Sequence, residues 1–381
     1  MVEFFEQGPI RPPSEARSLL LRLTRNCPWN QCTFCPVYKG AKFSRRTVSE
    51  IKGDIDLIYD FAETIRALSW QMGEGGRITS SVAERVFSGA LGPNQGLKYI
   101  AFWLYSGGKH AFLQDANSLI MKPADVAEVI GYLKEKFPEI DRITTYARSA
   151  TVARMEAGDL AMLKDTGLTR VHIGLESGSD EVLAFMKKGV SAKQHIEGGR
   201  RVKEAALELS EYIMPGLGGR RLSEIHALET ARVINAINPH FVRLRTLHVH
   251  DVMPLSLDVM EKRFEIASDD EIVKEIRIFI ENLSDITSTI VSDHILNLLP
   301  EVFGTLPEDK DTTLSVIDRY LSLDKSERLL YKVGRRAGFV ESLSDLTDER
   351  VRLRASAIID RLGIDGDGDE ERMRELMNGY I

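Results

Sequence analysis

All three cysteines of this 381-residue chain, Cys27, Cys32 and Cys35, fall within nine positions, in the stretch R-N-C-P-W-N-Q-C-T-F-C-P from Arg25 to Pro36. No cysteine stands elsewhere to pair with them, so the group does not resolve into disulfides; thiols placed this close together point to a shared metal or cluster. Three thiolates on a [4Fe–4S] cube would leave one iron open to an outside ligand. Ser18 to Thr24, S-L-L-L-R-L-T, reads as a buried strand directly ahead of the cysteines. The loop therefore sits at the C-terminal end of that strand. Thr47 with Glu50 forms a capping box, and Ile51, Ile55, Ile58 and Phe61 carry a helical apolar stripe onward.

The same order recurs along the chain. Tyr99–Tyr105 and His110–Leu113 are short apolar runs on either side of Ser106-Gly107-Gly108, and the second ends in Gln114-Asp115-Ala116-Asn117 ahead of Pro123, a fitting first helical residue. Ile143–Tyr146 reads as a strand ending at Ala147-Arg148, followed by a helix from about Val152 to Lys164 that Gly167 stops. Val171–Leu175 runs into Glu176-Ser177-Gly178-Ser179, then a helix containing Val182, Leu183 and Met186, and a further helix carrying Arg200 and Arg201. Tyr212–Met214 leads into Pro215-Gly216-Leu217-Gly218-Gly219 and a helix from about Leu222 to Ile237; Phe241–Val249 closes the series at His248, His250 and Asp251.

Six strand–helix units imply an α/β fold with parallel strands and right-handed crossovers, a partial (β/α)6 barrel with a C-terminal helical extension. The expected division is an arm over 1–17, the barrel over 18–255, and an extension over 256–381 that caps the barrel. Sites in such folds gather at the C-terminal strand ends, where the cysteines, Asp115, Arg148, Glu176, Gly216 and His248 all fall. Within the extension, Ser292-Asp293-His294 and Asn297 place polar side chains over one to two helical turns in an apolar context. Asp365-Gly366-Asp367-Gly368-Asp369 reads as an acidic turn, because Glu370 and Leu376 stand where a calcium loop needs glycine and glutamate.

Charge and hydropathy narrow the class of protein. A formal net charge of −7 gives no strong nucleic-acid signal, and the basic groups Lys39–Arg46, Arg200–Lys203 and Arg243–Arg245 read as solvated faces. No apolar run reaches membrane-spanning length, and the start M-V-E-F-F-E-Q-G-P lacks the features of a signal peptide. The expected location is the cytoplasm, where thiols stay reduced.

These residues resemble the radical S-adenosylmethionine (SAM) enzymes over roughly residues 18–250. The resemblance rests on the cysteine triplet, on Phe34 ahead of the last cysteine, on Gly174-Leu175-Glu176-Ser177-Gly178-Ser179-Asp180 and on the trailing Met186-Lys187-Lys188-Gly189. The last two runs look most like the branch containing the methylthiotransferases, the Elongator catalytic subunit and NifB. Ile213–Gly216 is similar to the family's adenine-contacting strand. The usual motif has three residues in the first cysteine gap, whereas four stand here, Pro28-Trp29-Asn30-Gln31; loops absorb such insertions at little cost.

The resemblance implies that Cys27, Cys32 and Cys35 hold a [4Fe–4S] cluster whose fourth iron is chelated by SAM. An external one-electron reductant of flavodoxin or ferredoxin type would drive cleavage of SAM to methionine and a 5′-deoxyadenosyl radical, which takes hydrogen from an unidentified substrate. It implies SAM contacts from Phe34, Gln114, Asp115, Arg148, Glu176, Ser177, Arg200 and Gly216. Five of these have an ordinary alternative: Phe34 as a core residue, Gln114 and Asp115 as a helix cap, Arg200 as surface, and Gly216 as part of a plain turn. His248, His250, Asp293, His294 and Asn297 are candidates for the substrate side, or interior polar groups satisfied by their neighbours.

Two other classes compete: an enzyme whose open iron acts as a Lewis acid on a hydroxy substrate, and a zinc-stabilised binding module. Zinc prefers four closed ligands, and the nearest histidine to the triplet is His110. The absence of a fourth cysteine argues against an auxiliary cysteine-bound cluster and against two-cluster methylthiolation. The absence of an additional N-terminal region argues against a cobalamin domain.

Overall fold

The structure is a computed structural model that describes residues 4–364 together with 372 and 376; the acidic run at 365–369 lies outside the described residues. Its strands are β1 (Leu19–Arg22), β2 (Thr24–Arg25), β3 (Ser44–Arg45), β4 (His110–Gln114), β5 (Arg142–Ala147), β6 (Leu168–Glu176), β7 (Glu208–Ile213), β8 (Phe241–Leu244), β9 (Thr289–Val291) and β10 (Gly304–Thr305). The helices through the repeating region are α1 (Val48–Gln71), α2 (Ser80–Phe87), α3 (Gln95–Tyr105), α4 (Pro123–Lys136), α5 (Ser149–Val152), α6 (Ala157–Thr166), α7 (Asp180–Phe185), α8 (Ala192–Glu204) and α9 (Ser223–Ile237). Beyond β8 follow α10 (Leu255–Met260), α11 (Asp269–Glu281), α12 (Lys310–Ser322), α13 (Lys325–Arg336) and α14 (Glu349–Leu362).

Eight strands form the main sheet in the order β1-β4-β5-β6-β7-β8-β9-β10. The pairs β1–β4, β4–β5, β5–β6, β7–β8 and β8–β9 are parallel, and β10 closes the series antiparallel to β9. β1 and β10 stand at opposite ends of that order, so the sheet is a partial barrel that does not close, followed by helices as the residue pattern implies. β9 and β10 add to the six expected strands. β9 is a three-residue Thr-Ile-Val run, too short to show a period, and it forms because β8 offers it a free parallel edge.

Contacts group the described chain into two compact units, one of residues 4–30, 37–173 and 197–209, the other of 31–36, 174–196 and 210–364. In the first, the predicted capping box closes on α1 through Thr47 and Glu50, and Ile51, Ile55, Ile58, Ala62 and Ile65 are fully buried. Tyr99–Tyr105 belongs to a helix, α3, started by the Asn94 side chain, which accepts the Gly96 N–H at 2.7 Å. Ile100, Ala101 and Trp103 of the run form the buried face of that helix, while Phe102 and Tyr105 are exposed. The helix expected from Val152 to Lys164 is two pieces, α5 and α6, with a turn at Ala153–Glu156 between them.

Between the sheet and the N-terminal arm, Glu15 is fully buried and takes the Ser18 hydroxyl at 2.6 Å, Arg142 at 3.2 Å and His172 at 3.4 Å. Burial pushes its carboxyl up, but the hydrogen bonds from His172 and Ser18 and the Arg142 charge outweigh that and hold it at about 2.

In the second unit, Cys32, Phe34, Val182, Met186, Met214, Leu217, Leu247 and Leu255 share one core. The polar run Ser292–Asn297 is not helical; it leaves β9 as irregular chain. Among the described residues no helix is long and apolar enough to cross a membrane.

Candidate functional site

The cysteine loop begins on two asparagines in the left-handed region, Asn26 at φ 66° and Asn30 at φ 46°, a conformation asparagine adopts more readily than most side chains. The Asn30 N–H points at Cys27 Sγ at 3.5 Å, and its amide donates to the Tyr38 carbonyl at 2.6 Å. Lys39 Nζ donates to the Asn30 carbonyl at 2.9 Å. The four-residue gap is thus turned back on itself at Asn30, which accommodates the added residue. Trp29, beside it, lies under the Arg148 guanidinium at 5.0 Å, a cation–π contact.

Asp115, at the end of β4, is fully buried. It accepts from Arg22 Nη2 at 2.8 Å, from the Asn26 N–H at 3.3 Å and from the Tyr38 hydroxyl. Burial pushes its carboxyl up from the ordinary value despite the Tyr38 hydrogen bond and the Arg22 charge. The neighbouring Gln114 side chain is occupied by the arm, accepting the Gly8 N–H at 2.9 Å and donating to the Gly8 and Ile10 carbonyls at 3.2 and 2.6 Å.

In the second unit the segment 31–36 is pinned at Thr33, whose N–H donates to the Met186 carbonyl at 3.1 Å and whose carbonyl accepts the Leu255 N–H at 3.0 Å. Cys32 and Phe34 are thereby buried, while Cys35 is half-buried. Lys188 brings its ammonium 5.7 Å from the Phe34 ring centre and 3.2 Å from Glu176 Oε1. Glu176 has φ 65°, and its side chain folds over Gly174, where an added Cβ would stand 2.3 Å from Glu176 Oε1.

Glu211 on β7 is fully buried, and neither of its carboxylate oxygens has a hydrogen-bond partner. Burial drives its carboxyl well above the ordinary value; the Lys188 charge lowers it and the Glu176 charge raises it further. An orphaned carboxyl of this kind suits a ligand that brings hydroxyl or cationic donors.

A second buried chain of polar groups ties the ends of β6 and β7 to helices. The Ser177 hydroxyl is 2.8 Å from His226 Nδ1, and His226 Nε2 is 3.1 Å from the Met214 carbonyl. Glu275 on α11 accepts the Gly216 N–H at 2.6 Å and the Ser223 hydroxyl at 2.5 Å. Burial depresses the His226 imidazole to about 4 and raises the Glu275 carboxyl to about 7. Their 3.6 Å approach is accordingly a contact of neutral groups near pH 6 rather than an ion pair.

His248 and His250 meet edge to face at 5.0 Å beyond β8, and His250 Nε2 is a buried nitrogen without a partner. Asp293 pairs with Arg243 at 3.0 Å. Burial, with a smaller contribution from the Arg245 charge, lowers His294 to about 4. Asn297 is fully buried against β8, and Arg200 is exposed on α8. Sequence reasoning did not single out Glu211, His226 or Glu275, and it named Lys188 only within the run Met186–Gly189. A lone acid inside the strand Leu-Ser-Glu-Tyr-Ile was the one visible signal for Glu211.

Cys27, Cys32 and Cys35 supply three thiols from one loop, a donor set suited to iron–sulfur ligation. Among the described residues no three Cys, His, Asp or Glu side chains are gathered into a preformed metal site. Residues 21–231 match the sequence family described as the Radical SAM superfamily, and the chain belongs to it.

The chain is 21% identical over 229 residues to a tRNA uridine(34) acetyltransferase of Methanocaldococcus jannaschii, spanning 58% of this chain and 40% of that protein, less than half its length. Among solved structures it is similar to Elp3 of Methanocaldococcus infernus at 16% identity, covering 48% of each chain with a TM-score of 0.39. It is also similar to methylornithine synthase at 14% identity, covering 73% of this chain and 67% of that one with a TM-score of 0.42, and to coproporphyrinogen III oxidase of Escherichia coli at 13% identity, covering 69% and 52% with a TM-score of 0.42.

Proposed function

We propose that the protein is a cytoplasmic radical SAM enzyme in which Cys27, Cys32 and Cys35 hold a single [4Fe–4S] cluster. The observation that carries this reading is the donor set: three thiols within nine positions of one loop, in a chain whose family model spans residues 21–231. When bound, cluster and SAM supply reductive cleavage to methionine and a 5′-deoxyadenosyl radical, with one electron from a soluble flavodoxin- or ferredoxin-type donor. The motif Gly174–Asp180 with Met186–Gly189 favours a place near the methylthiotransferase, Elongator and NifB branch.

The chain's own residues bind and orient. Glu211 and Glu176 offer carboxylate oxygens to ligand hydroxyls, and Lys188 beside them offers a cation to a carboxylate. Gly216, at φ 86° with its N–H fixed by Glu275, lets backbone approach a flat base. Phe34 supplies an apolar wall, while Arg148 over Trp29 steadies the loop. His248, His250 and His294 offer imidazoles to the substrate side.

Anaerobic reconstitution with iron and sulfide, followed by dithionite and SAM, should yield 5′-deoxyadenosine; Cys32→Ser should abolish both iron retention and product. An intact cluster that binds a hydroxy substrate and leaves SAM uncleaved would favour Lewis-acid chemistry. One zinc and no iron would favour a binding module.

A further inference from the structure

Asp115 stands where its family resemblance suggests a ligand contact, yet its carboxylate is closed on every side by its own chain. Its solvent exposure is zero. Oδ2 accepts from Arg22 Nη2 at 2.8 Å and from the Asn26 N–H at 3.3 Å, and Oδ1 accepts from the Tyr38 hydroxyl. The remaining face is covered by Gly8 of the arm, where an added Cβ would stand 2.8 Å from Oδ1 and 2.9 Å from Cγ and Oδ2. The arm is itself held by Gln114, which takes the Gly8 N–H and donates back to the Gly8 and Ile10 carbonyls.

Two of the three donors have a particular address. Asn26 directly precedes Cys27, and Tyr38 follows Cys35 by three residues. One carboxylate therefore ties both ends of the cysteine loop together. Asn30 ties its middle to the same point, donating to the Tyr38 carbonyl at 2.6 Å while its own N–H meets Cys27 Sγ. A loop with left-handed asparagines at 26 and 30 has little intrinsic preference for this path and needs such external ties.

We propose that Asp115 is a positioning residue that clamps the two ends of the cysteine loop, sealed in place by Gly8 of the N-terminal arm, rather than a ligand to SAM. The proposal rests on the reading of the loop as a cluster site, and it explains how a first gap one residue longer than usual is held in shape.

Asp115→Asn removes the charge and leaves one strong acceptor for three donors. Hydrogen exchange on the metal-free chain should show amides of residues 26–38 opening about tenfold faster or more, the loss expected when charge-assisted hydrogen bonds in a buried site are broken. Amides of α1 should exchange unchanged. After anaerobic reconstitution the variant should lose iron to a chelator about tenfold faster, while the fraction still carrying cluster binds SAM within about twofold of wild type. Tyr38→Phe removes one donor with minimal change of shape and should move exchange and iron loss in the same direction by a smaller factor; it carries the test where Asp115→Asn fails to fold.

Unchanged exchange and iron retention in both variants would overturn the proposal, as would intact cluster with SAM affinity reduced tenfold in Asp115→Asn. A wild-type chain that takes up no iron would overturn the functional reading alone, because the exchange measurement still reports on the clamp.

Discussion

A carboxyl buried without a partner costs stability, and a protein that carries one forgoes that stability for something else. Glu211 is such a group. Its folded-state proton affinity is raised by burial, so the folded chain binds a proton more readily than the unfolded one. Stability from this group is fully present below the ordinary glutamate range and is lost as pH rises through the folded value. Glu211→Gln has nearly the same shape with no proton to lose. Melting temperatures across pH should show the variant more stable than wild type at about pH 8 and similar near pH 4.5, the ordinary range of the group. Calorimetric titration of the reconstituted enzyme should show SAM binding weakened by about tenfold, the loss of a carboxyl that can give up its proton to meet a ligand's hydroxyl or cationic donors. A variant that gains stability and keeps SAM affinity would remove Glu211 from the site.

At the scale of elements, the turns that follow β6 and β7 are held by side chains of helices packed against them. Glu275 is the clearest case: a fully buried side chain on α11 fixes the Gly216 turn at the end of β7 through a 2.6 Å hydrogen bond. With its folded value near 7 against an ordinary 4.5, its contribution to stability is complete below pH 4.5 and lost as pH climbs to about 7. His226, depressed to about 4, acts in the opposite sense: its contribution is present above pH 6.5 and lost as pH falls toward 4. Between about pH 4.5 and 6.5 the contributions of these two groups therefore change in opposite directions and offset each other.

Glu275→Gln keeps an acceptor for Gly216 and removes only the downward limb. It should match wild type near pH 4.5 and exceed it above pH 7 by on the order of 3 kcal/mol, measured by urea unfolding at each pH. A variant as pH-dependent as wild type would mean that Glu275 stays ionised in the fold. Such ties are not readable from a helix such as Asp269–Glu281, because a glutamate on a helix face looks like any solvated charge until the packing partner is known. What was readable was the punctuation. Capping at Thr47, Pro123 at the start of α4 and the break at Gly167 all announce themselves by local chemistry. The three-residue β9 and the helical face of α3 needed tertiary context.

For the molecule as a whole, the succession of strand–helix units through β8 and the grouping of the cysteines were written in the sequence, whereas the fastening of its C-terminal part was not. Asn297 shows why. The polar run 292–297 reads either as a substrate-facing surface or as interior groups satisfied by neighbours, and the fold gives Asn297 the second position. Its Oδ1 accepts the Thr246 N–H at 2.9 Å and hydroxyl at 3.0 Å, and its Nδ2 donates to the Leu244 carbonyl at 2.8 Å. Arg335 on α13 donates to the Asn297 carbonyl at 3.3 Å, Arg336 to that of Leu296 at 2.7 Å, and the Tyr331 hydroxyl to that of Leu298 at 3.1 Å.

α13 thus fastens residues 296–298, which in turn fasten the end of β8 just before His248 and His250. Asn297→Ala would leave the Thr246 N–H and the Leu244 carbonyl buried without partners, at about 1–3 kcal/mol each. Unfolding should show a loss of about 3 kcal/mol, while the spectroscopic change that SAM causes at the reduced cluster stays as in wild type, because none of these bonds reaches Glu176, Glu211 or Gly216. If stability were unchanged and only turnover of the eventual substrate were lost, Asn297 would be a substrate contact, and the C-terminal helices would serve the reaction directly rather than by holding β8 in place.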